Sequence, residues 1–283
     1  MQDHLARASG GGVRAFVAIT TDLVDEARRR HNLYPIAAAA LGRTMTAALL
    51  LAANLKTEET ITIRIKGDGP LDQVVADARA NGTVRGYVNN PQIDLPLCNG
   101  KLAVGQAVGE GFIHVTRFTG MKDPFTGSVP LVSGEIAEDV TNYLLVSEQI
   151  SSTVALGVLV ETDLHVSAAG GFMVQAMPGA SDEVLQQIEN NIANMPPISQ
   201  LIKEGAKSTN IFDLLFTGIE YTLLDEKPIA FACSCNRERV EKILISLGKE
   251  ELDQLAAEGQ AELTCHFCSQ KYQFSQQEIQ ALS

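Results

Sequence analysis

Four of the five cysteines of this 283-residue chain lie near its C-terminal end as two close pairs, Cys233 with Cys235 and Cys265 with Cys268. Zinc favours sulfur ligands, and its structural sites are closed and tetrahedral with four protein ligands. Two cysteine pairs separated by 29 residues match the general zinc-ribbon pattern. The spacing therefore predicts one zinc ion per chain, with these four cysteines as its ligands.

The Cys-x-Cys pair requires unusual local geometry. Two sulfurs so close in sequence can reach one metal at about 2.3 Å only if the chain turns tightly at Ser234. That geometry leaves two alternatives open, a structural pair of disulfides or inert buried thiols. His266, between the second pair, is an alternative ligand that the four available thiolates disfavour. The remaining cysteine, Cys98, is expected to be a small buried hydrophobic residue without redox function.

Charge and the N-terminal sequence limit the partners and the location. The net charge is −12, and residues 229–283 carry eight acidic and five basic residues, which disfavours binding to nucleic acid or to anionic membranes. Residues 1–16 lack the apolar region of a secretory signal. We therefore expect a cytoplasmic protein, in which paired cysteines bind metal or undergo redox chemistry more often than they form structural disulfides. The apolar run 35–55 is broken by Arg43 and predicts a buried core helix.

The first 178 residues have the pattern of an α+β domain. Alternating residues at 60–66 and an Asn81-Gly82 turn between 71–79 and 83–89 predict antiparallel hairpins. Further strands are expected at 13–20, 111–118, 153–160 and 164–177, and helices at 22–31, 36–55 and 136–149. The glycines at 10–12 precede a strand, so we expect them to form a flexible N-terminal entry and not a phosphate-binding loop.

The character of the chain changes after Pro178. Ser181 can cap a helix with one apolar stripe, and further apolar helical sequence follows up to Phe216. The stripe consists of Val184, Leu185, Ile188, Ile192 and Met195. Two interpretations stay open, an ordinary helical layer on a sheet or a detachable cover over an apolar surface.

The last fifty-odd residues can be assembled around the metal. Helices are expected at 237–247 and 249–257, and short strands at 261–264 and 271–274 flank the second cysteine pair. Ser275 and Glu278 fit a capping box that opens a last helix. So short a segment buries little apolar area, whereas a structural zinc contributes roughly 10–16 kcal/mol to folding. Loss of zinc should therefore unfold this module.

Several segments resemble, in the same order, the redox-regulated bacterial heat-shock chaperone family of thirty-three kilodaltons. The Cys-x-Cys and Cys-x-x-Cys combination is the most specific of them, and the resemblance covers nearly the whole chain. The segments are 67–71, 85–88, 131–139, 147–149, 170–179, 231–239, 247–252, 262–268 and 272–274.

The resemblance implies a chaperone that binds Zn²⁺ when it is reduced and inactive. Oxidants would convert the ligands into two disulfides, Cys233–Cys235 and Cys265–Cys268, with release of the zinc. The adjacent linker would become disordered, and the activated homodimer would hold unfolding client proteins without ATP, in keeping with the absence of a Walker motif from the sequence.

We therefore predict an α+β fold with a mainly antiparallel sheet core (1–178), a helical linker (179–228) and a C-terminal zinc-binding redox-switch domain (229–283). The predicted function is that of an ATP-independent holdase in the stress response, not an enzyme. Two other classes stay open. A nucleic-acid-binding zinc ribbon would need a basic module, and a thiol oxidoreductase would use Cys265 and Cys268 on small disulfides.

Overall fold

The protein is described by a computed structural model that covers residues 2–56, 58–120 and 123–282. It divides into two compact units, the first ending at Phe231 and the second beginning at Ala232. The predicted α+β class is confirmed, since helices are combined with mainly antiparallel sheets. The predicted division into a core domain, a linker and a zinc-binding domain stays a prediction.

The first unit contains a five-stranded sheet in which every adjacent pair of strands is antiparallel. In spatial order its strands are β10 (Thr222–Pro228), β1 (His4–Gly10), β2 (Val13–Ile19), β9 (Val166–Ala176) and β8 (Ser152–Val160).

A six-stranded sheet forms the other half of this unit. In spatial order its strands are β11 (Ala230–Phe231), β5 (Thr83–Val88), β4 (Gln73–Arg79), β3 (Thr60–Gly67), β6 (Gly111–Phe118) and β7 (Phe125–Pro130). Within the described residues, β11 and β5 form the one parallel pair among the named strands.

Helix α2 (Pro35–Ala52) lies in the main core and packs against strands of both sheets. Its many alanines and Gly42 allow close approach, since a Cβ at Gly42 would lie 2.7 Å from Val24 Cγ1 and 2.8 Å from Val158 Cγ2. By length and composition α2 could cross a membrane, but 89% of this helix is buried inside the protein. The predicted buried core helix is thus confirmed. The neighbouring helices are α1 (Thr21–His31), α3 (Val104–Val108) and α4 (Ala137–Val146).

The second face of the five-stranded sheet is covered by three helices, α5 (Asp182–Ala193), α6 (Ile198–Lys203) and α7 (Ser208–Leu215). Strand side chains alternate between faces, so Phe16 and Ala18 of β2 belong to the α2 core while Val17 belongs to the core under these helices. We call α5–α7 the helical cover. Its fully buried side chains include Ile211, Phe212 and Leu215.

The glycines at 10–12 were wrongly predicted to form a flexible entry. Gly11 and Gly12 form the two-residue turn between β1 and β2, with φ of +57° and +79°. Such a hairpin turn requires positive φ at both central positions, which glycine adopts without strain. A Cβ at Gly11 would lie 2.9 Å from Val184 Cγ1, so the turn packs against the first turn of the helical cover.

The second unit has a small core of its own. Its elements are α8 (Arg237–Leu247), α9 (Lys249–Ala257), β12 (Gln260–Thr264), β13 (Lys271–Ser275) and α10 (Gln276–Leu282). Leu244, Leu252, Phe274 and Ile279 are its buried centre. The predicted capping box is present, since Glu278 N donates to Ser275 Oγ and Ser275 N to Glu278 Oε2.

Candidate metal and redox centre

The second cysteine pair lies in the turn of the β12–β13 hairpin. Cys265 N donates to Gln270 O at 2.9 Å and Ser269 N to Cys265 O at 2.8 Å. Ser269 has φ of +55°, a left-handed conformation that returns the chain toward β13. These contacts form the tight knuckle that directs Cys265 and Cys268 to one side.

The first pair lies immediately before α8. Asn236 Oδ1 accepts from Arg239 N at 2.9 Å and caps the helix. The Arg239 guanidinium donates to Ser234 O at 2.9 Å and to Ser234 Oγ at 2.8 Å. Arg239 thus holds the residue at which the Cys-x-Cys segment must turn.

The four sulfurs converge on one point. All four Sγ atoms lie within 4.8 Å of one another, with Cys233 to Cys265 at 3.8 Å and Cys235 to Cys268 at 3.3 Å. Four ligands at about 2.3 Å from a tetrahedral zinc would be about 3.8 Å apart. The cluster therefore fits a metal ion with small adjustment, and four sulfur donors are the set that zinc prefers.

Burial affects the ionisation of the second cysteine pair. Burial raises the pKa of the Cys265 and Cys268 thiols, and that of Cys268 far above its usual range. A bound cation acts in the opposite direction because it stabilises thiolates. The Tyr272 hydroxyl donates to Cys235 Sγ at 3.2 Å, and this bond is the main reason that the pKa of Tyr272 is raised to about 12.

The structure brings together the four cysteines that spacing selected, while their roles as ligands and as disulfide partners stay predictions. Within the described residues, His266 is not a member of the four-sulfur group. Cys98 was predicted to be buried, which is wrong, because it is exposed in a turn where it bridges to Lys101. Sequence reasoning missed Tyr272 and Arg239, which contact the cysteine segment from β13 and α8.

A four-thiol unit that follows a mixed α+β unit in the same chain defines a class, that of proteins which combine a cysteine-rich metal or redox centre with a larger domain. The comparisons narrow this class. The model of the Hsp33 protein family matches residues 3–275. The 33 kDa chaperonin of Desulforamulus reducens is 52% identical, covering 100% of this chain and 97% of that protein. That of Geobacter sulfurreducens is 44% identical, covering 99% and 94%.

A solved structure agrees with the sequence comparisons. The crystal structure of the 33 kDa chaperonin of Thermotoga maritima, a heat shock protein 33 homologue, has a TM-score of 0.93 and 40% identity, and the match covers 99% of this chain and 97% of that one. The chain therefore belongs to the Hsp33 family of chaperones.

Proposed function

We propose that this chaperone is an ATP-independent holdase whose activity is switched on by oxidation of a zinc-bound four-cysteine centre. The observation that carries the proposal is the apolar face of the five-stranded sheet beneath the helical cover. Val17, Ile19, Phe172 and Val174 of the sheet are buried there. Because hydrophobic attraction is non-directional, such a face would suit unfolding clients of many sequences.

The contacts of the helical cover would allow its three helices to detach from the sheet together. Asn191 in α5 donates to Leu215 O and Thr217 O, both at 2.9 Å. These bonds connect α5 to the C-terminal end of α7 within the cover. Its contact with the sheet is mainly apolar packing. Local opening costs least where few directional contacts cross an interface.

The cysteines lie close in sequence to this region. After α7 the chain forms β10 and β11, and Cys233 follows Phe231 by two residues. We propose that unfolding of the C-terminal module removes support from the preceding segment and lets the helical cover open. When bound, Zn²⁺ would hold Cys233, Cys235, Cys265 and Cys268 together and contribute the folding free energy that so small a core lacks.

Oxidation would convert ligands into disulfides. For each pair, one peroxide accepts two electrons from two thiolates and takes up two protons from solvent, so that one S–S bond and two waters form; Zn²⁺ would leave once its ligands are oxidised. The proposed pairs are Cys233–Cys235 and Cys265–Cys268, as the family resemblance implies. All sulfurs are within 4.8 Å, and pairs close in sequence have the smallest loop-closure cost once the module unfolds. Peptide mapping of the oxidised protein would find cross-pair bonds if this assignment is wrong.

The experiment follows one sample through the switch. Zinc content, free thiols and suppression of aggregation of a denatured model enzyme are measured before peroxide with mild heat, afterwards, and after re-reduction with zinc, always without nucleotide. We expect one zinc and no holding activity at first, then four thiols lost together with zinc as holding appears. Holding by the reduced protein, or oxidation without holding, would contradict the proposal.

We also propose that the protein is not an enzyme, acts in the cytoplasm and is a homodimer when activated. The thiol-oxidoreductase alternative predicts catalytic reduction of small disulfides, and the nucleic-acid alternative predicts salt-sensitive retardation of oligonucleotides. Either result would displace the holdase proposal.

A further inference from the structure

Tyr272 reaches the thiol cluster from a separate part of the C-terminal unit. It lies on β13 opposite Leu263 of β12, and its half-buried ring packs against the core that contains Phe274. Its hydroxyl lies 3.2 Å from Cys235 Sγ, across 37 positions of sequence. The ring is therefore fixed by the hairpin while the hydroxyl holds the Cys-x-Cys segment.

Two other sulfurs of the cluster have backbone donors. Cys265 and Cys268 accept hydrogen bonds from the backbone N–H groups of Phe267 and Gln270, which no side-chain substitution removes. The donor to Cys235 is a side chain. Partners of metal ligands orient the ligands and tune their basicity, and their removal typically costs 10–100-fold in metal affinity. A thiolate of lower basicity is also a weaker nucleophile.

We propose that Tyr272 is a positioning residue whose hydroxyl holds Cys235 in the thiol cluster and slows attack on that sulfur by oxidants and electrophiles. The inference rests on the proposed zinc centre and deepens it. Tyr272 would thereby help to set how much oxidant the switch requires, by making the Cys-x-Cys half harder to oxidise.

The test compares Tyr272→Phe, which removes only the hydroxyl, with Tyr87→Phe, which removes a hydroxyl that accepts from Gln73 at 3.2 Å in the first unit. Both full-length proteins are loaded with zinc and treated with substoichiometric iodoacetamide, and the first alkylated cysteine is located by mass spectrometry. We expect the share of label on Cys235 to rise several-fold in Tyr272→Phe and not in the control. Zinc affinity measured by chelator competition should fall by about 10-fold.

A second measurement separates the hydroxyl from ring packing. In Co²⁺-loaded protein, loss of a hydrogen bond to one thiolate should move the sulfur-to-cobalt absorption to lower energy. An unchanged spectrum with an unchanged label distribution overturns the proposal, even if affinity falls, because only packing has then changed. If Tyr272→Phe does not load metal, Tyr272 is replaced by 3-fluorotyrosine, whose hydroxyl is a stronger hydrogen-bond donor. This replacement should reduce the share of label on Cys235, and an unchanged share overturns the proposal. Metal loading of the unsubstituted protein tests the proposed zinc centre separately.

Discussion

One added methyl group should force the helical cover away from its sheet. Gly157 of β8 pairs with Gly170 of β9, and α6 lies close to the sheet where these two side chains are missing. A Cβ at Gly157 would lie 2.9 Å from Ile198 Cγ2, from Ser199 Cβ and from Ser199 N. Ile198 Cγ2 is bonded to a branched Cβ whose χ1 has one strongly preferred rotamer in a helix, and the backbone nitrogen of Ser199 can move only with α6.

Two terms set the size of the effect of Gly157→Ala. Overpacking of this kind costs about 1–3 kcal/mol, whereas replacing glycine within a strand recovers about 0.5–1 kcal/mol of backbone entropy. With the midpoint of each range, the net loss is about 1.2 kcal/mol, and it falls on the contact of α6 with the sheet. Since about 1.4 kcal/mol is a factor of ten, amides of 198–203 should exchange about 8-fold faster.

The assay is hydrogen exchange with mass spectrometry on reduced, zinc-loaded protein, combined with suppression of client aggregation. Gly157→Ala should hold clients without oxidant while its zinc content is unchanged. The matched control is Gly86→Ala, in which a Cβ would lie 2.5 Å from Val75 O and 2.9 Å from Leu41 Cδ1 in the main core. The reasoning is refuted if Gly157→Ala loosens 198–203 without holding clients, or if Gly86→Ala produces the same gain.

Three further predictions concern single side chains. Cys268→Ser should abolish stoichiometric zinc binding because a closed tetrahedral site has no spare thiolate. A Cys268→Ser protein that binds one zinc per chain with unchanged affinity would exclude Cys268 as a ligand. Cys98→Ser should keep zinc binding and peroxide activation, since Cys98 is exposed outside the thiol cluster, and a stable variant that cannot be activated would contradict this. Burial raises the pKa of Asp3 to about 6 although Asp22 N and Leu23 N donate to it. Because the pKa of Asp3 is higher in the folded protein than in the unfolded chain, ionisation of Asp3 lowers the free energy of unfolding. This loss is complete above pH 6 and disappears as the pH falls toward 3.8. Asp3→Asn should therefore reduce the loss of unfolding free energy between pH 5 and pH 7 by about 1 kcal/mol, and an unchanged loss in urea titrations at both pH values would show that Asp3 does not titrate in this range.

Elements with a strong local signal were predictable, and those defined by their neighbours were not. The alternation of β3 and the Asn81-Gly82 turn identified their hairpins. Strands β1, β7 and β10 were missed because each depends on its pairing, β10 being a partly charged strand with one partner, β1. The short helix α3 was missed as well, since five residues carry too little periodicity.

The candidate site shows the same limit. Cysteine spacing was enough to predict the convergence of four sulfurs, because a tetrahedral metal constrains all of them. The contact of Tyr272 with Cys235 depends on how β13 is oriented toward a segment 37 positions away, which no local pattern contains. Cys98 was misjudged because free cysteines are usually buried, although the following Asn99-Gly100 is a turn signal and both have positive φ.

The central claim is that oxidation of the thiol cluster uncovers the apolar face of the five-stranded sheet. Hydrogen exchange measured on the reduced, zinc-loaded protein and on the fully oxidised protein tests it most directly. The account predicts that amides of 182–215 lose their protection together with those of the C-terminal unit, while α2 and the six-stranded sheet keep theirs. Full protection of 182–215 in oxidised protein that holds clients would contradict it.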